Sequence, residues 1–307
     1  MTGGKRMKKT GKTTLCLTLL LWMLVVTLVA QDLQPLRNRP NLPATNGDTL
    51  KRSVHRRSYE VVEPTVVLPS TFREAKPNVL TDSLATLDSF FAKLKQLLVG
   101  TRKDSVRIVH IGDSHVRGHI FPQTVGERLK QLFGGISYID VGLNGAFSQT
   151  FSRPERIAPI AALNPDLLIL SFGTNESHNR RYNSRLHFRH LSELVDMLRE
   201  ALPDTPMLLT TPPGSYTRGG TRRRRTYSIN PRTALVTQTI LHFGHDYGVA
   251  VWDLYDVAGD GRRAAANWWE AGLMRPDHIH FSPQGYELQG NLLYQALIHG
   301  YNDYVDY

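Results

Sequence analysis

Short apolar runs alternate with amphipathic stretches between residues 83 and 298, and this alternation constrains the fold more than any other feature of the chain. The apolar runs predict strands at 106–111, 136–141, 167–172, 207–211 and 249–252. Apolar residues at helical spacing predict helices at 83–98, 125–133, 186–201, 231–247 and 283–298. Strands that alternate with helices form a mostly parallel sheet covered on both faces. We therefore expect an α/β fold, a three-layer α/β/α sandwich with a flavodoxin-like sheet of about five strands.

The chain is large enough to bury a full hydrophobic core without crosslinks. It has 307 residues, of which 41% are hydrophobic and 21% charged. We place the folded domain at 81–307. Residues 31–80 are rich in Pro, Arg, Asn and Ser and predict a linker or a strap over the domain, with a short strand at 59–68.

Residues 1–30 have the pattern of a secretory signal peptide. Basic residues precede an apolar run from Leu15 to Ala30, and Gln31 is the expected first residue of the mature chain. The alternative is an uncleaved N-terminal membrane anchor, because Leu28 is large for its position before the cleavage site. Either way we expect an exported protein, periplasmic or extracellular. The only cysteine, Cys16, lies inside this segment, so a cleaved product has no disulfide.

The first predicted strand runs directly into Gly112-Asp113-Ser114. Such a strand followed by a small polar turn holds a serine at the end of a sheet. The alternative is an ordinary strand-to-helix turn with a capping serine. We expect Asp113 to support the turn through backbone amides, so it is left out of the catalytic set.

Three later stretches also follow apolar runs or carry reactive side chains. They are a glycine-rich turn at 141–146, a loop with an amide side chain at 171–176, and residues 275–283, where Asp277 precedes His280 by three residues. Ligands of parallel α/β sheets bind beyond the carboxyl ends of the strands. Ser114, Gly145 and Asn175 each lie just past a predicted strand, so the sequence predicts that these three segments converge at one edge of the sheet.

In this order, the four stretches resemble the four signature blocks of the SGNH (GDSL-type) hydrolase family. Gly112-Asp113-Ser114 resembles the nucleophile block, Gly145 the oxyanion glycine, 173–176 the asparagine block, and Asp277 with His280 the Asp-x-x-His block. The resemblance extends over about 83–301 and is greatest to the branch of carbohydrate and peptidoglycan O-acetylesterases.

The resemblance implies a Ser-His-Asp triad. Ser114 attacks an ester carbonyl, and His280 accepts its proton and passes it to the leaving alcohol, because a free hydroxyl is a poor nucleophile. Asp277 orients His280 and stabilises the imidazolium. His278 is nearer to Asp277 in sequence, but a separation of one residue suits proton relay poorly.

The resemblance also implies an oxyanion hole formed by the N–H groups of Ser114 and Gly145 and by the amide of Asn175. For Asn175 the alternative is an Asx turn that closes its own loop. For Gly145 the alternative is simple turn geometry, and the choice of Gly145 over Gly142 depends on the resemblance alone.

We expect neither a metal nor a cofactor. Histidines cluster at His110, His115 and His119 and again at His278 and His280, but no carboxylate or cysteine stands beside them at a recognisable ligand spacing.

The formal charge of +10 includes Arg218 and the run 222–225, in a loop after the fourth predicted strand. A solvated loop is the ordinary interpretation, and the alternative is that Arg222 and Arg223 bind an anionic polymer. Nucleic acid is not expected, because the chain has no helix-turn-helix or zinc-finger pattern. Trp268 and Trp269 predict either a stacking surface for sugar rings or core packing.

These observations predict an exported serine esterase that removes O-acetyl or other short acyl groups from a carbohydrate or peptidoglycan. Two alternatives remain open. One is a lipase, thioesterase or acyltransferase with the same triad, and the other is a non-catalytic glycan-binding domain on the same fold. A membrane partner is expected only through an uncleaved N-terminus. The sequence does not predict the oligomeric state.

Overall fold

The structure is a computed structural model that describes residues 59–221 and 224–306. The predicted signal segment, most of the predicted linker, and Arg222 with Arg223 lie outside the described residues. Within the part of the chain that is described, no helix combines the length and apolar character needed to cross a bilayer.

The domain is built on a six-stranded sheet, and two further strands form a separate hairpin. The strands are β1 (Leu80–Thr81), β2 (Val106–Gly112), β3 (Ile136–Gly142), β4 (Leu167–Ser171), β5 (Met207–Thr210), β6 (Tyr216–Gly220), β7 (Arg225–Ile229) and β8 (Ala250–Trp252). The sheet order is β1-β8-β5-β4-β2-β3, in which only β1 runs antiparallel. The five parallel strands have the flavodoxin-like order, so the predicted fold class is confirmed.

Helices cover both faces of the sheet. They are α1 (Asp88–Leu98), α2 (Ser114–Arg117), α3 (Ile120–Phe133), α4 (Ser148–Phe151), α5 (Pro154–Ala162), α6 (Thr174–His178), α7 (Ser184–Ala201), α8 (Arg232–Tyr247), α9 (Leu254–Val257), α10 (Asp260–Glu270) and α11 (Pro283–Asp306). Successive residues of a strand point to opposite faces, so Ile108 joins a core with Phe90 of α1 and Leu293 of α11. Val109 joins the other core, with Leu194 of α7.

The predicted strand at 59–68 is wrong. This segment has no regular secondary structure and instead lies along α11, where its backbone groups bond to side chains. The side-chain amide of Asn302 bonds both the N–H and the carbonyl of Val61, and Gln295 Nε2 donates to Pro64 O. Helix side chains thus replace the neighbouring strand that the backbone would otherwise need.

Sequence periodicity missed α5, α10 and the hairpin of β6 and β7. The hairpin is rich in Arg and Gly and largely exposed, so it has no apolar alternation to mark it as a pair of strands. We call β6, β7 and their connection the basic hairpin.

Strand register brings three chain segments to one edge. Gly112 is the partner of Gly142 in β3 and of Ser171 in β4, so β2, β3 and β4 end level with one another. The loops that follow these strands therefore begin side by side.

Candidate active site

The turn after β2 presents Ser114 at the start of α2. Its geometry requires glycine at position 112, because a Cβ there would lie 2.5 Å from both Ser171 O and Val116 Cγ2. Asp113 caps α2 by accepting the N–H of His115 at 2.9 Å. Atoms of Ser171 and Val116 thus pack closely against the turn at Gly112. Ser114 itself is only half-buried.

Ser114, His280 and Asp277 form one hydrogen-bonded chain. Ser114 Oγ lies 3.0 Å from His280 Nε2, and His280 Nδ1 lies 2.8 Å from Asp277 Oδ2. The other oxygen of Asp277 accepts the N–H groups of Ile279 and His280, each at 2.9 Å. The structure therefore brings the three predicted triad residues together, and it is His280 rather than His278 that bridges them.

The Asp277 carboxylate is held in its charged form. Burial acts to raise its pKa, but the N–H groups of His280 and Ile279 and the ring of His280 outweigh burial, so the pKa of Asp277 is lowered. An ionised Asp277 accepts a hydrogen bond from the N–H at His280 Nδ1, which leaves the lone pair of Nε2 facing Ser114. This tautomer is the one that a general base needs.

The predicted oxyanion residues lie on neighbouring loops. Gly145 has a φ of +72° and is exposed at a turn, whereas Gly142 belongs to β3 and is covered so closely that a Cβ would lie 2.1 Å from Arg117 N. Asn175 Nδ2 donates to Ala146 O at 2.9 Å and lies 3.4 Å from Asp113 Oδ2. The amide of Asn175 thus connects the glycine turn to the nucleophile turn.

Sequence reasoning gave no role to Glu176, which connects the segment after the glycine turn to the loop that follows β4. Its Oε1 accepts the N–H of Ser148 at 2.7 Å and its Oε2 that of Gly173 at 3.0 Å. Burial raises the pKa of Glu176, although these N–H bonds oppose the shift. The available sequence signal was a glutamate three residues after Gly173, the spacing at which a first-turn glutamate reaches back to the N-cap amide.

A buried polar network lies beneath the nucleophile turn. His110 is hydrogen-bonded to Tyr138 Oη at 2.9 Å and to Ser171 Oγ at 2.6 Å, and Thr210 Oγ1 donates to Ser171 Oγ at 2.8 Å. Burial lowers the pKa of His110 to about 3, so its ring is neutral at neutral pH. The network links β3, β2, β4 and β5.

The other clustered histidines have separate partners. His115 Nδ1 is hydrogen-bonded to Tyr286 Oη at 3.0 Å, and its ring centroid lies 5.4 Å from that of His280. Burial, together with the charge of His280, lowers the pKa of His115 to about 3. His119 is paired with Asp140.

The two predicted tryptophans have different surroundings. Trp268 is fully buried, donates from Nε1 to Pro213 O at 3.0 Å and packs edge-on against Phe281. The predicted sugar-stacking role is therefore wrong for Trp268, because core side chains cover its ring. Trp269 is 41% exposed and stacks on His278.

Comparisons with known proteins identify a family and support the fold. The family model described as GDSL-like Lipase/Acylhydrolase matches residues 110–288. A solved peptidoglycan O-acetylesterase superposes with a TM-score of 0.65 at 18% identity, over 73% of this chain and 99% of its own. A GDSL-like lipase from Bacteroides thetaiotaomicron gives a TM-score of 0.47 at 19% identity, over 67% of this chain and 98% of its own. A search of curated proteins gave no match.

The region matched by the family model contains Ser114, Gly145, Asn175, Asp277 and His280. It covers more than half of the chain, and the superposition independently supports the same three-layer α/β/α fold. The chain therefore belongs to the GDSL-like lipase/acylhydrolase family of ester-hydrolysing enzymes.

Proposed function

We propose that this protein is an exported serine esterase that removes O-acetyl or other short acyl groups from a carbohydrate or peptidoglycan substrate. The observation that carries the proposal is the chain of hydrogen bonds from Ser114 Oγ through His280 to Asp277. A nucleophile bonded to a base, with the base oriented by a third group, is the arrangement that acyl transfer needs.

In the proposed mechanism, Ser114 Oγ attacks the ester carbonyl while His280 Nε2 accepts the hydroxyl proton. The N–H groups of Ser114 and Gly145 and the amide of Asn175 stabilise the oxyanion. Asn175 Nδ2 donates to Ala146 O at 2.9 Å and makes a longer bond of 3.4 Å to Asp113 Oδ2, so the N–H of this longer bond is the one assigned to the oxyanion. His280 then protonates the leaving alcohol, and water activated by the same base hydrolyses the acyl-enzyme.

The openness of the site supports a bulky substrate. The side chains of His280 and Asp277 are 32% and 47% exposed, so a residue within a polymer can reach Ser114 without entering a closed tunnel. The structural likeness to a peptidoglycan O-acetylesterase supports an acylated glycan as that polymer.

The basic hairpin supports an anionic polymer. Its β6 strand bonds directly to the segment with the proposed triad residues, since Tyr216 N donates to His278 O at 3.0 Å. Arg218, Arg224 and Arg225 are exposed on this hairpin. Replacing all four arginines of the run 222–225 with Gln should raise KM for the polymer but not for a small acetyl ester; equal effects on both would contradict this role.

Export is proposed from the sequence of residues 1–30, with the periplasm or the extracellular space as destination. Comparing the mass and N-terminus of the protein recovered from the producing cells distinguishes a cleaved chain from an anchored one. A mature chain that begins at Gln31 is the expected result.

The decisive experiment measures hydrolysis of p-nitrophenyl acetate by the wild type and by Ser114→Ala. The exposed Ser89→Ala serves as the matched control. Loss of turnover only in Ser114→Ala is expected, and undiminished hydrolysis would refute the assignment. Longer p-nitrophenyl esters then report acyl length, and acetate release from acetylated peptidoglycan compared with acetylated xylan identifies the glycan.

A further inference from the structure

The segment that contains Asp277 and His280 is a compact turn closed by an antiparallel bridge between Met274 and Phe281. We call residues 274–281 the acid–base turn. Within it, His278 N donates to Arg275 O at 2.9 Å, and Arg275 N donates to His280 O at 2.7 Å. These bonds join the first residues of the turn to its centre and to its end, and the side chain of His278 adds contacts with neighbouring elements.

The centre of the turn is held by three stacked rings. The His278 ring lies 3.9 Å from Trp269 with an interplanar angle of 26°, and 3.8 Å from Tyr227 with an angle of 24°. Tyr216 meets the same ring edge-on at 5.2 Å. We call Trp269, His278 and Tyr227 the His278 stack. It joins α10, the acid–base turn and the basic hairpin.

The backbone of His278 has an unfavourable conformation that other contacts must stabilise. Its φ of +60° lies in the left-handed region, which residues other than glycine rarely adopt. This conformation occurs immediately after Asp277, at the point where the chain turns back. The turn brings the N–H groups of Ile279 and His280 to one oxygen of Asp277.

The ring of His278 is suited to stacking rather than to proton transfer. It is 9% exposed, and its buried Nδ1 has no hydrogen-bond partner among the described residues. Burial also lowers the pKa of His278, against the effect of the neighbouring Asp277 carboxylate. A neutral planar ring between two aromatic faces does not require the chemistry of an imidazole.

We infer that His278 is a positioning residue for the Asp277–His280 pair: its ring, held between Trp269 and Tyr227, keeps the acid–base turn in the conformation from which His280 reaches Ser114. This inference depends on the proposed function, since it assumes that the pair acts in catalysis. It also makes the basic hairpin part of the support for the triad, because β7 supplies Tyr227 and β6 supplies the N–H that bonds His278 O.

Two substitutions distinguish the contribution of the His278 ring from that of its backbone conformation. His278→Gly permits the left-handed conformation but removes the ring, and His278→Phe retains a planar ring without a titratable group. On p-nitrophenyl acetate, His278→Gly is expected to lower kcat about 10- to 100-fold with KM within about 2-fold, since small misplacements of reacting groups cost this much. His278→Phe is expected to retain kcat within about 3-fold of the wild type.

A double-mutant cycle with Asp277→Asn gives the readout that a purely structural role would not change. If His278 acts through Asp277, His278→Gly adds less than about 3-fold to the loss already caused by Asp277→Asn. If the loss of kcat in the double mutant equals the product of the losses in the two single mutants, the positioning role is overturned. A kcat for His278→Gly within about 3-fold of the wild type, or a loss in His278→Phe equal to that in His278→Gly, would also overturn it.

A second pair of variants covers the case in which His278→Gly fails to fold. Tyr227→Ala removes one side of the stack from an exposed hairpin, and Tyr227→Phe retains it. A lower kcat in Tyr227→Ala alone supports the inference, and equal activity in both overturns it. Ser114→Ala is assayed in parallel: if it is inactive while both His278→Gly and Tyr227→Ala are fully active, only the positioning role fails. Full activity of Ser114→Ala refutes the proposed function itself.

Discussion

The two halves of the proposed site are built in different ways. The nucleophile half contains Ser114, Gly145 and Asn175, on loops that leave β2, β3 and β4 at the same level of the sheet. Buried polar groups support it from below, chiefly His110 and Glu176. The acid–base half is a turn outside the sheet, held by one bridge, a few backbone bonds and the partly exposed His278 stack.

This difference shows where activity and stability are coupled. A change beneath the nucleophile half leaves buried polar atoms without partners, so it should lower both the rate and the free energy of unfolding. A change in the acid–base half affects groups near solvent, so it should lower the rate and leave stability nearly unchanged. Four variants test this contrast.

Asp277→Asn should have the largest effect on rate. An amide at this position presents an N–H to His280 Nδ1, which turns the ring to the tautomer with its proton on Nε2, facing Ser114. We expect kcat on p-nitrophenyl acetate to fall about 1,000- to 10,000-fold, with Tm within about 2 °C of the wild type. The exposed Asp204→Asn is the control. A fall in Tm of many degrees would contradict the contrast.

Asn175→Ala should lower kcat about 100- to 1,000-fold, because it removes one proposed oxyanion donor. It also removes the bond to Ala146 O, so a small decrease in Tm should accompany the loss of rate. Steady-state kinetics and thermal unfolding check both effects, with the surface variant Asn291→Ala for comparison. Retention of full kcat would remove Asn175 from the oxyanion hole.

Glu176→Gln should lower both kcat and Tm. Its amide can accept only one of the two N–H bonds from Ser148 and Gly173 and directs its own N–H at the other. This costs roughly 1–3 kcal/mol, or a fall in Tm of about 2–10 °C, and we expect kcat to fall about 10-fold. The exposed Glu127→Gln should match the wild type in both measurements. A stable but slow Glu176→Gln, or the reverse, would show that the loops are not coupled as described.

His110→Gln should have the smallest effect on kcat, because His110 does not contact the reacting groups, and its effect on stability should be visible in the pH dependence. Burial lowers the pKa of His110 from 6.5 to about 3, so between these values the unfolded chain binds more protons at this residue than the native protein. The wild type therefore loses stability relative to His110→Gln as the pH falls through this window, by up to about 1.4 kcal/mol per pH unit. Urea unfolding between about pH 7 and pH 4 measures the difference. A parallel slope in wild type and His110→Gln would contradict burial of a neutral ring.

The sequence identified the elements of the nucleophile half well and their support poorly. The apolar runs that end at Gly112, Gly142 and Ser171 are visible as strands because both faces of a central parallel strand are buried. The contacts between His110, Tyr138 and Thr210 are not visible, since they depend on which strands are neighbours. The same limit applies to Glu176, whose two partners belong to different loops.

The acid–base half shows the opposite pattern. Asp277 and His280 were predicted because a spacing of three residues within one turn is a local property. The support of that turn was not, because Tyr227 belongs to an exposed strand without apolar alternation and Trp269 to a helix that the periodicity missed. Trp268 and Trp269 are adjacent in sequence, yet on a helix they point about 100° apart, and this angle separates a core side chain from a surface one.

By itself, the sequence determined the class of fold, because local patterns of apolar, small and polar residues mark the strands and helices. It also identified the candidate nucleophile, base and acid, because four short stretches resemble the signature blocks of a known family. Tertiary structure alone decided the strand order, the buried groups under Ser114 and the stack that holds His278. These contacts join residues far apart in the chain, and only the assembled sheet brings them within bonding distance.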